Sequence, residues 1–245
     1  MWMPRWLGEI YSKLYAKFWI DVFTFNQARE YSGIEKSILN VAFSKLHSLR
    51  ALYIHSRTKP RLYRLIRPES FVLMCSNVIK NINAIRQERY LQLICDVAKE
   101  LIRGYSDCSI CIYGSVARGV ARPESDLDIL VVSDSFKGPK TKRVEELCLI
   151  EERVADEIKR LRSYGIYTSL SFYPLRRDEV LRFPPVMLDI VVDGIVICDN
   201  GFLEKAMPIM REKMNRLGAK RVVLKDGSWY WDLKPDYRFG EVVEL

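Results

Sequence analysis

Ser109-Ile110-Cys111-Ile112-Tyr113-Gly114-Ser115-Val116-Ala117-Arg118-Gly119 and, after a spacer of ten residues from Ser115, Asp126-Leu127-Asp128-Ile129-Leu130-Val131-Val132 form the stretch on which the reading of this chain turns. Ser109 to Tyr113 is a short apolar run with β character, and it breaks at a Gly-Ser pair. Glycine lets the backbone approach a ligand closely, and serine adds a hydroxyl beside the turn's amides, a combination suited to phosphate. The second run begins with two carboxylates. Asp126 and Asp128 are two positions apart, so on a strand they project from one face. Two like charges at the head of an apolar strand are costly unless a cation neutralises them. Mg²⁺, or Mn²⁺ in its place, takes such oxygen ligands together with substrate phosphates.

These residues resemble a known family. Gly114-Ser115, the ten-residue spacer and Asp126-Leu127-Asp128 in a hydrophobic strand are similar to the signature of the DNA polymerase beta-like nucleotidyltransferase superfamily, in its minimal form. Arg118-Gly119 and Glu124-Ser125 extend the likeness. The resemblance covers about residues 88–200, and its motif residues 112–132. It implies an α/β (α+β) domain with a small mixed sheet and flanking helices. It further implies that Gly114 and Ser115 hold a triphosphate, and that Asp126 and Asp128 are catalytic and bind the metal. A nucleoside monophosphate would pass from an NTP, with ATP as the expected one, to an acceptor hydroxyl as pyrophosphate leaves. Arg118 is read either as a phosphate contact or as a structural donor in the turn. Acceptors in the family include nucleic-acid ends, small molecules and protein side chains, and some minimal members have a small helical toxin as protein partner.

The family usually places a third acid on the next core strand. Here that strand is read over Ile166–Tyr173, after a helix from about Lys142 to Arg162, and it holds serines instead. The next candidate is Asp189. If Pro184–Ile190 is a strand, Asp189 is the third acid. If it is a short helix begun by the prolines and closed at Gly194, Asp189 points elsewhere and Ile195–Cys198 is the strand. The β-branched run Ile190–Val192 favours strand. The element order of the minimal enzymes favours helix, and helix is the expectation.

Upstream, the charge is unevenly spread. The chain has 245 residues, with 39 Lys+Arg against 31 Asp+Glu and a net charge of +8. Between Lys36 and Arg67 there are eight basic residues and no acid, leaving 31 basic against 31 acidic in the remainder. One segment therefore carries the whole surplus, which points to an anionic partner. Residues 6–19 repeat apolar side chains at helical spacing. Thr24 and Gln27 fit a capping box for a short helix that stops at Gly33. A third helix follows over about Glu35–Leu49 with Ile38, Leu39, Ala42, Phe43 and Leu46 as its buried face. Two β-prone runs, Leu52–His55 and Leu62–Ile66, flank the basic turn Ser56–Arg61. In order and charge, residues 5–67 resemble a winged helix-turn-helix domain, which implies duplex DNA binding through Lys36, Lys45, Arg57, Lys59 and Arg61. Winged helices also serve as protein-interaction modules, and that alternative stays open. His47 and His55 are expected at the surface or facing a groove.

The remaining divisions are a linker helix at 68–87, the nucleotidyltransferase domain at 88–200, and a C-terminal helix and hairpin at 201–245. The two modules are expected to have separate cores. In the linking region helices are read over about Phe71–Ile82 and Gln87–Arg103. Lys225-Asp226-Gly227-Ser228 reads as a hairpin turn, and Trp229 and Trp231 as a packed face. The composition, with 49% hydrophobic and 29% charged residues, excludes a disordered or collagenous chain. No run is long and apolar enough to span a membrane, and no secretory signal is read, so a cytoplasmic location is expected. Six cysteines are too few for a disulfide scaffold, and Cys108-x-x-Cys111 has no second pair to make a zinc site. The competing function is a non-catalytic DNA-binding regulator or antitoxin-like protein whose nucleotidyltransferase domain senses a nucleotide or a protein partner.

Overall fold

A computed structural model describes residues 2–225 and 228–237. The N-terminal part runs α1 (Arg5–Phe18), β1 (Phe23–Thr24), α2 (Phe25–Ser32), α3 (Lys36–Ser48), β2 (Leu52–Ser56) and β3 (Leu62–Leu65). The Thr24 hydroxyl accepts from the Gln27 amide at 3.2 Å, and the Gln27 side chain reaches back to the Thr24 amide at 2.8 Å. Gly33, at φ 67°, ends α2 in the left-handed conformation. The three strands pair antiparallel in the order β1-β3-β2. One expected core residue of α3 faces outward: Ile38 is 52% exposed, while Leu39, Ala42, Phe43 and Leu46 are buried.

Then come α4 (Pro68–Cys75), short 3₁₀ turns at Ile82–Ala84 and Glu88–Tyr90, and α5 (Leu91–Gly104). The helix expected to reach Ile82 stops at Cys75, because Asn77 takes a left-handed φ of 61° and its amide turns back to the Met74 carbonyl. Val72 and Val78 are accordingly exposed.

The catalytic-type region continues with β4 (Ser109–Tyr113), α6 (Gly114–Arg118), β5 (Leu127–Val132), α7 (Lys140–Arg153), α8 (Ala155–Ser163), β6 (Leu170–Leu175), α9 (Arg177–Leu181), α10 (Val186–Asp193) and β7 (Ile195–Cys198). Its sheet has the order β6-β5-β4-β7, with β5 and β6 parallel and the other pairs antiparallel. The long helix expected over 142–162 is two helices, broken where Val154 leaves helical dihedrals and is buried. The strand expected from Ile166 begins at Leu170, because the preceding backbone is tied to the loop before β5: the Tyr167 amide bonds to the Pro123 carbonyl at 2.7 Å. Last are α11 (Phe202–Leu217), β8 (Lys220–Val223) and β9 (Trp229–Asp232). The strands of the C-terminal hairpin pair as read, while Asp226 and Gly227 of its turn, and residues 238–245, lie outside the described residues.

Strand alternation sorts the sheet into two faces. Ile110, Ile112, Ile129 and Val131 join a core with α5, α7 and α8, whereas Cys111, Leu130 and Val132 pack against α10 and α11. The first of these cores does not stop at the sheet. It runs on through Phe71, Leu65, Leu52 and Leu46 to Leu14 and Leu7 of α1, so the expected separate cores are one.

Ion pairs reinforce this union. Arg64 of β3 and Glu157 of α8 are both about 1% exposed and pair bidentately at 2.5 and 2.7 Å. Arg67 pairs with Asp96 at 3.1 Å, and Arg50 and His47 both reach Glu88 at 2.9 Å. The histidines therefore differ from expectation: His47 is paired inward, and His55 is buried with its ring edge-on to Tyr164.

Arg64→Met removes the bidentate partner of the buried Glu157 carboxylate, leaving it only the longer contacts of Arg67 at 3.8 Å and Arg160 at 3.9 Å, and is expected to destabilise the chain by about 3 kcal/mol. The double substitution R64M/E157L is expected to recover most of that loss, because an apolar pair replaces the ionic one. Urea denaturation of the two variants checks both outcomes.

Candidate active site

The site is built where β4 ends and β5 begins. Tyr113, the last residue of β4, is paired in register with Asp128. The chain then turns at Gly114 with φ 69°, a conformation that glycine adopts without penalty. There is also a steric reason for glycine: a Cβ at position 114 would overlap the Asp128 carboxylate. The aspartate is thus seated directly on the backbone of the Gly-Ser turn. Ser115 follows at the second position of α6, half-buried, and Gly119 closes that helix at φ 75°.

Asp126 stands immediately before β5 and Asp128 is its second residue, near enough for the charge of one to act on the other. Asp126 is exposed and Asp128 half-buried. Burial raises the Asp128 carboxyl above the ordinary range; the Ser171 hydrogen bond opposes this, the Asp126 charge adds to it, and Arg118 opposes it. Burial and then the Asp128 charge push the Tyr113 phenol up as well. On the neighbouring strand, Ser171 sits in register with Asp128, and Ser169 donates to Asp126 Oδ1 at 2.5 Å. Two hydroxyls, rather than a further carboxylate, therefore face the acid pair from the β6 side.

Asp189 is not beside Asp128 on a strand. It lies on α10, where Arg221 Nη2 donates to it at 3.0 Å and Trp231 Nε1 donates at 3.2 Å. The same Arg221 donates to Asp193 at 2.8 Å. Arg118 is also committed: its Nη1 lies 3.7 Å from Asp193 and its guanidinium 4.5 Å over the Trp229 ring. Trp229 and Trp231 are packing residues here, stacked by cations, and through them the C-terminal hairpin meets Arg118 and α10. Motif reading could not have found Arg221, Asp193 or Trp229 as neighbours of Arg118, since they meet only through the packing of the hairpin.

Among the described residues no three Asp, Glu, His or Cys side chains converge as a metal site. The acid pair still suits one hard divalent cation. It offers clustered oxygen donors, an unfavourable like-charge contact that a cation would relieve, and a glycine cradle that leaves room for the carboxylate. The surplus basic residues divide. Lys36, Lys45, Arg57, Lys59 and Arg61 are exposed on the N-terminal part, whereas Arg50, Arg64 and Arg67 are spent on internal carboxylates.

A family model described as nucleotidyltransferase domain matches residues 94–182, which contain the Gly-Ser turn and both aspartates. No curated protein matches the chain significantly. Two solved structures are similar. One is a mutant of the toxin–antitoxin pair MntA-HpeT, 16% identical, covering 49% of this chain and 88% of that one at a TM-score of 0.31. The other is a toxin–antitoxin with AMP-PNP, 16% identical, covering 57% of this chain and 94% of that one at a TM-score of 0.30. The chain carries a nucleotidyltransferase domain over residues 94–182. No helix among the described residues is long and apolar enough to cross a membrane.

Gly114→Ala is expected to displace the Asp128 carboxylate and cut Mg²⁺-dependent NTP binding at least tenfold. The forced positive φ adds about 1 kcal/mol of destabilisation. Calorimetric titration with a non-hydrolysable NTP, beside a thermal melt, separates the two effects.

Proposed function

We propose that the chain is a divalent-metal-dependent nucleotidyltransferase that moves an NMP from an NTP, ATP by preference, to an acceptor hydroxyl. The observation that carries this is the Asp126–Asp128 pair with Asp128 seated on Gly114, inside the matched domain. In this reading Asp126 and Asp128 hold Mg²⁺ or Mn²⁺, which neutralises phosphate charge and orients the triphosphate. Gly114 and Ser115 cradle the β- and γ-phosphates. Arg118, steadied by Asp193 and Trp229, faces the same anions. Catalysis is then chiefly positioning and electrostatic stabilisation. An AMP-PNP-bound structure among the similar ones is consistent with a nucleotide ligand, and the toxin–antitoxin pairs suggest a protein partner such as a small helical toxin.

Residues 5–67 act, in the same proposal, as a winged helix-turn-helix that binds duplex DNA. Support comes from the order α1-α2-α3-β2-β3, and from the five exposed cations Lys36, Lys45, Arg57, Lys59 and Arg61. The segment works fused to the nucleotidyltransferase domain of about 88–200, given the continuous core.

A second reading has its own observation. Ser169 and Ser171 face the acid pair where another carboxylate would complete a two-metal site. This favours a nucleotide-sensing regulator. Incubation with α-labelled NTP, Mg²⁺ and cell extract discriminates the two: label on a macromolecule supports transfer, and binding without label supports the sensor.

Asp126→Asn with Asp128→Asn is expected to abolish Mg²⁺-dependent NTP binding while leaving the melting temperature unchanged or higher, because a like-charge repulsion is removed. Undiminished binding in the double variant overturns the site. For the basic module, five outward cations set a slope of about −4 to −5 for log K against log salt on duplex DNA. Changing Arg57, Lys59 and Arg61 together to Ala is expected to flatten it by about 3. A salt titration that shows no change removes the wing from the interface.

A further inference from the structure

Two clefts of about 270 and 230 Å³ open side by side between the β2–β3 hairpin and the segment that leads into α5. They share His55, Ser56 and Arg89. Arg57 and Arg86 line the first, and the second reaches Pro123 in the loop that leads to Asp126. Arg57, Arg86 and Arg89 thus line one continuous surface, and none has a carboxylate within ion-pair distance among the described residues, unlike Arg50, Arg64 and Arg67 nearby. Arg89 Nε is buried without a hydrogen-bond partner.

Two acids lie close, and neither neutralises the cleft. Glu88 lines the first cleft, but its carboxylate is engaged by His47, Arg50 and the Ile54 amide. Glu124 is exposed on the outside of the loop. His55 is only 6% exposed, and its Nδ1 has no partner. Burial, then Arg64 and Arg89, hold its pKa down to about 4, so the ring is neutral and offers an uncharged polar atom.

The cleft is mechanically joined to the candidate active site. Arg89 Nη2 donates to the Ala121 carbonyl at 3.2 Å, and Gln87 bonds to both the amide and the carbonyl of Ala121, at 2.9 and 2.8 Å. The Gly119 backbone is pressed against Arg86, so closely that a Cβ there would meet its side chain at 3.0 Å. Ala121 and Gly119 belong to the connection between the Gly-Ser helix and Asp126.

Guanidiniums that lack a carboxylate partner suit an anion, and the fork geometry of arginine matches phosphate oxygens bidentately. One phosphate would fill one cleft. Two joined clefts that continue from the basic β2–β3 turn to the active-site loop suit a chain of phosphates. We propose that this arginine-lined channel holds the phosphodiester backbone of a nucleic-acid strand whose terminal hydroxyl is the acceptor at Asp126 and Asp128. The destination rests on the transferase reading; the channel itself does not. In the transfer, the acceptor oxygen forms a bond to the α-phosphorus of the NTP and the α–β anhydride bond breaks. Pyrophosphate leaves with the bonding electrons, and the hydroxyl proton passes to solvent.

The test uses the full chain, without turnover. Fluorescence anisotropy is read with labelled single-stranded RNA, single-stranded DNA and duplex DNA, from about 50 to about 200 mM salt. Arg86→Gln is the first probe, since the Arg86 side chain makes no hydrogen bond among the described residues and glutamine retains the carbons packed on Gly119, and R86Q/R89Q removes two charges. The double variant is expected to bind the preferred polymer about tenfold more weakly, with a log–log salt slope flatter by about one to two. Comparison of the three polymers identifies the strand type. Mg²⁺-dependent NTP binding, measured on the same preparations, is expected to persist, and D126N/D128N is expected to bind nucleic acid like the parent. The channel is overturned if the parent binds none of the polymers at low salt, or if R86Q and R86Q/R89Q bind with unaltered affinity and slope. Neither outcome touches the transferase reading, which fails separately if the parent does not bind NTP with Mg²⁺.

Discussion

The buried pair of Arg64 and Glu157 fixes how the basic N-terminal part meets the catalytic-type sheet. A guanidinium and a carboxylate, each about 1% exposed, are stable together only in a bidentate contact that leaves neither without its counter-charge. That requirement dictates the placement of β3 against α8 to within a hydrogen-bond length. Apolar packing alone would tolerate sliding; the ion pair does not. Arg67 with Asp96, and Arg50 with Glu88, repeat the device on either side. Burial, with the Glu157 charge adding to it, raises Asp96 to about 6, against the pull of Arg67, Lys99 and Gln92, so this carboxylate is held near the edge of ionisation.

The consequence for the basic segment is a division of labour by direction. Arg50 just before the β2–β3 hairpin, Arg64 within it and Arg67 just after it are internal counter-charges. Those at its turn, with Lys36 and Lys45 on α3, face outward. A count of charge along the sequence treats all eight as equivalent. Only the fold separates the three that hold the molecule together from the five free to meet a polyanion.

This explains what could be read from sequence and what could not. The Thr24–Gln27 capping box, the Gly33 stop, the strands around the basic turn and the β-runs flanking Gly114 were legible, because each is a local contest settled by neighbouring residues. Strand alternation was the ground for pairing Asp126 with Asp128, but β5 begins at Leu127, so Asp126 stands just before the strand with the Ser169 hydroxyl bonded to it. Ile38 was misread because helical spacing admits more than one apolar stripe, and the partner packed against it decides which is buried. The break at Val154 and the late start of β6 come from contacts with distant segments. So does the single core, whose residues run from Leu7 to Ile197. The partners of Arg118 were illegible for the same reason: Asp193 and Trp229 are far away in sequence.

Charge around the acid pair can be followed one step further. Asp189 and Asp193 are bound by Arg221, with Arg118 beside Asp193, so these four groups balance among themselves. Asp126 and Asp128 are left with serine hydroxyls and no guanidinium in direct contact. The uncompensated charge at the mouth of β5 is then that of two carboxylates, the charge that one divalent cation cancels. Any incoming triphosphate adds negative charge that this site cannot absorb unaided, beyond what Arg118 supplies. One divalent cation there would meet both demands at once, since it cancels the two carboxylates and presents positive charge to the phosphates.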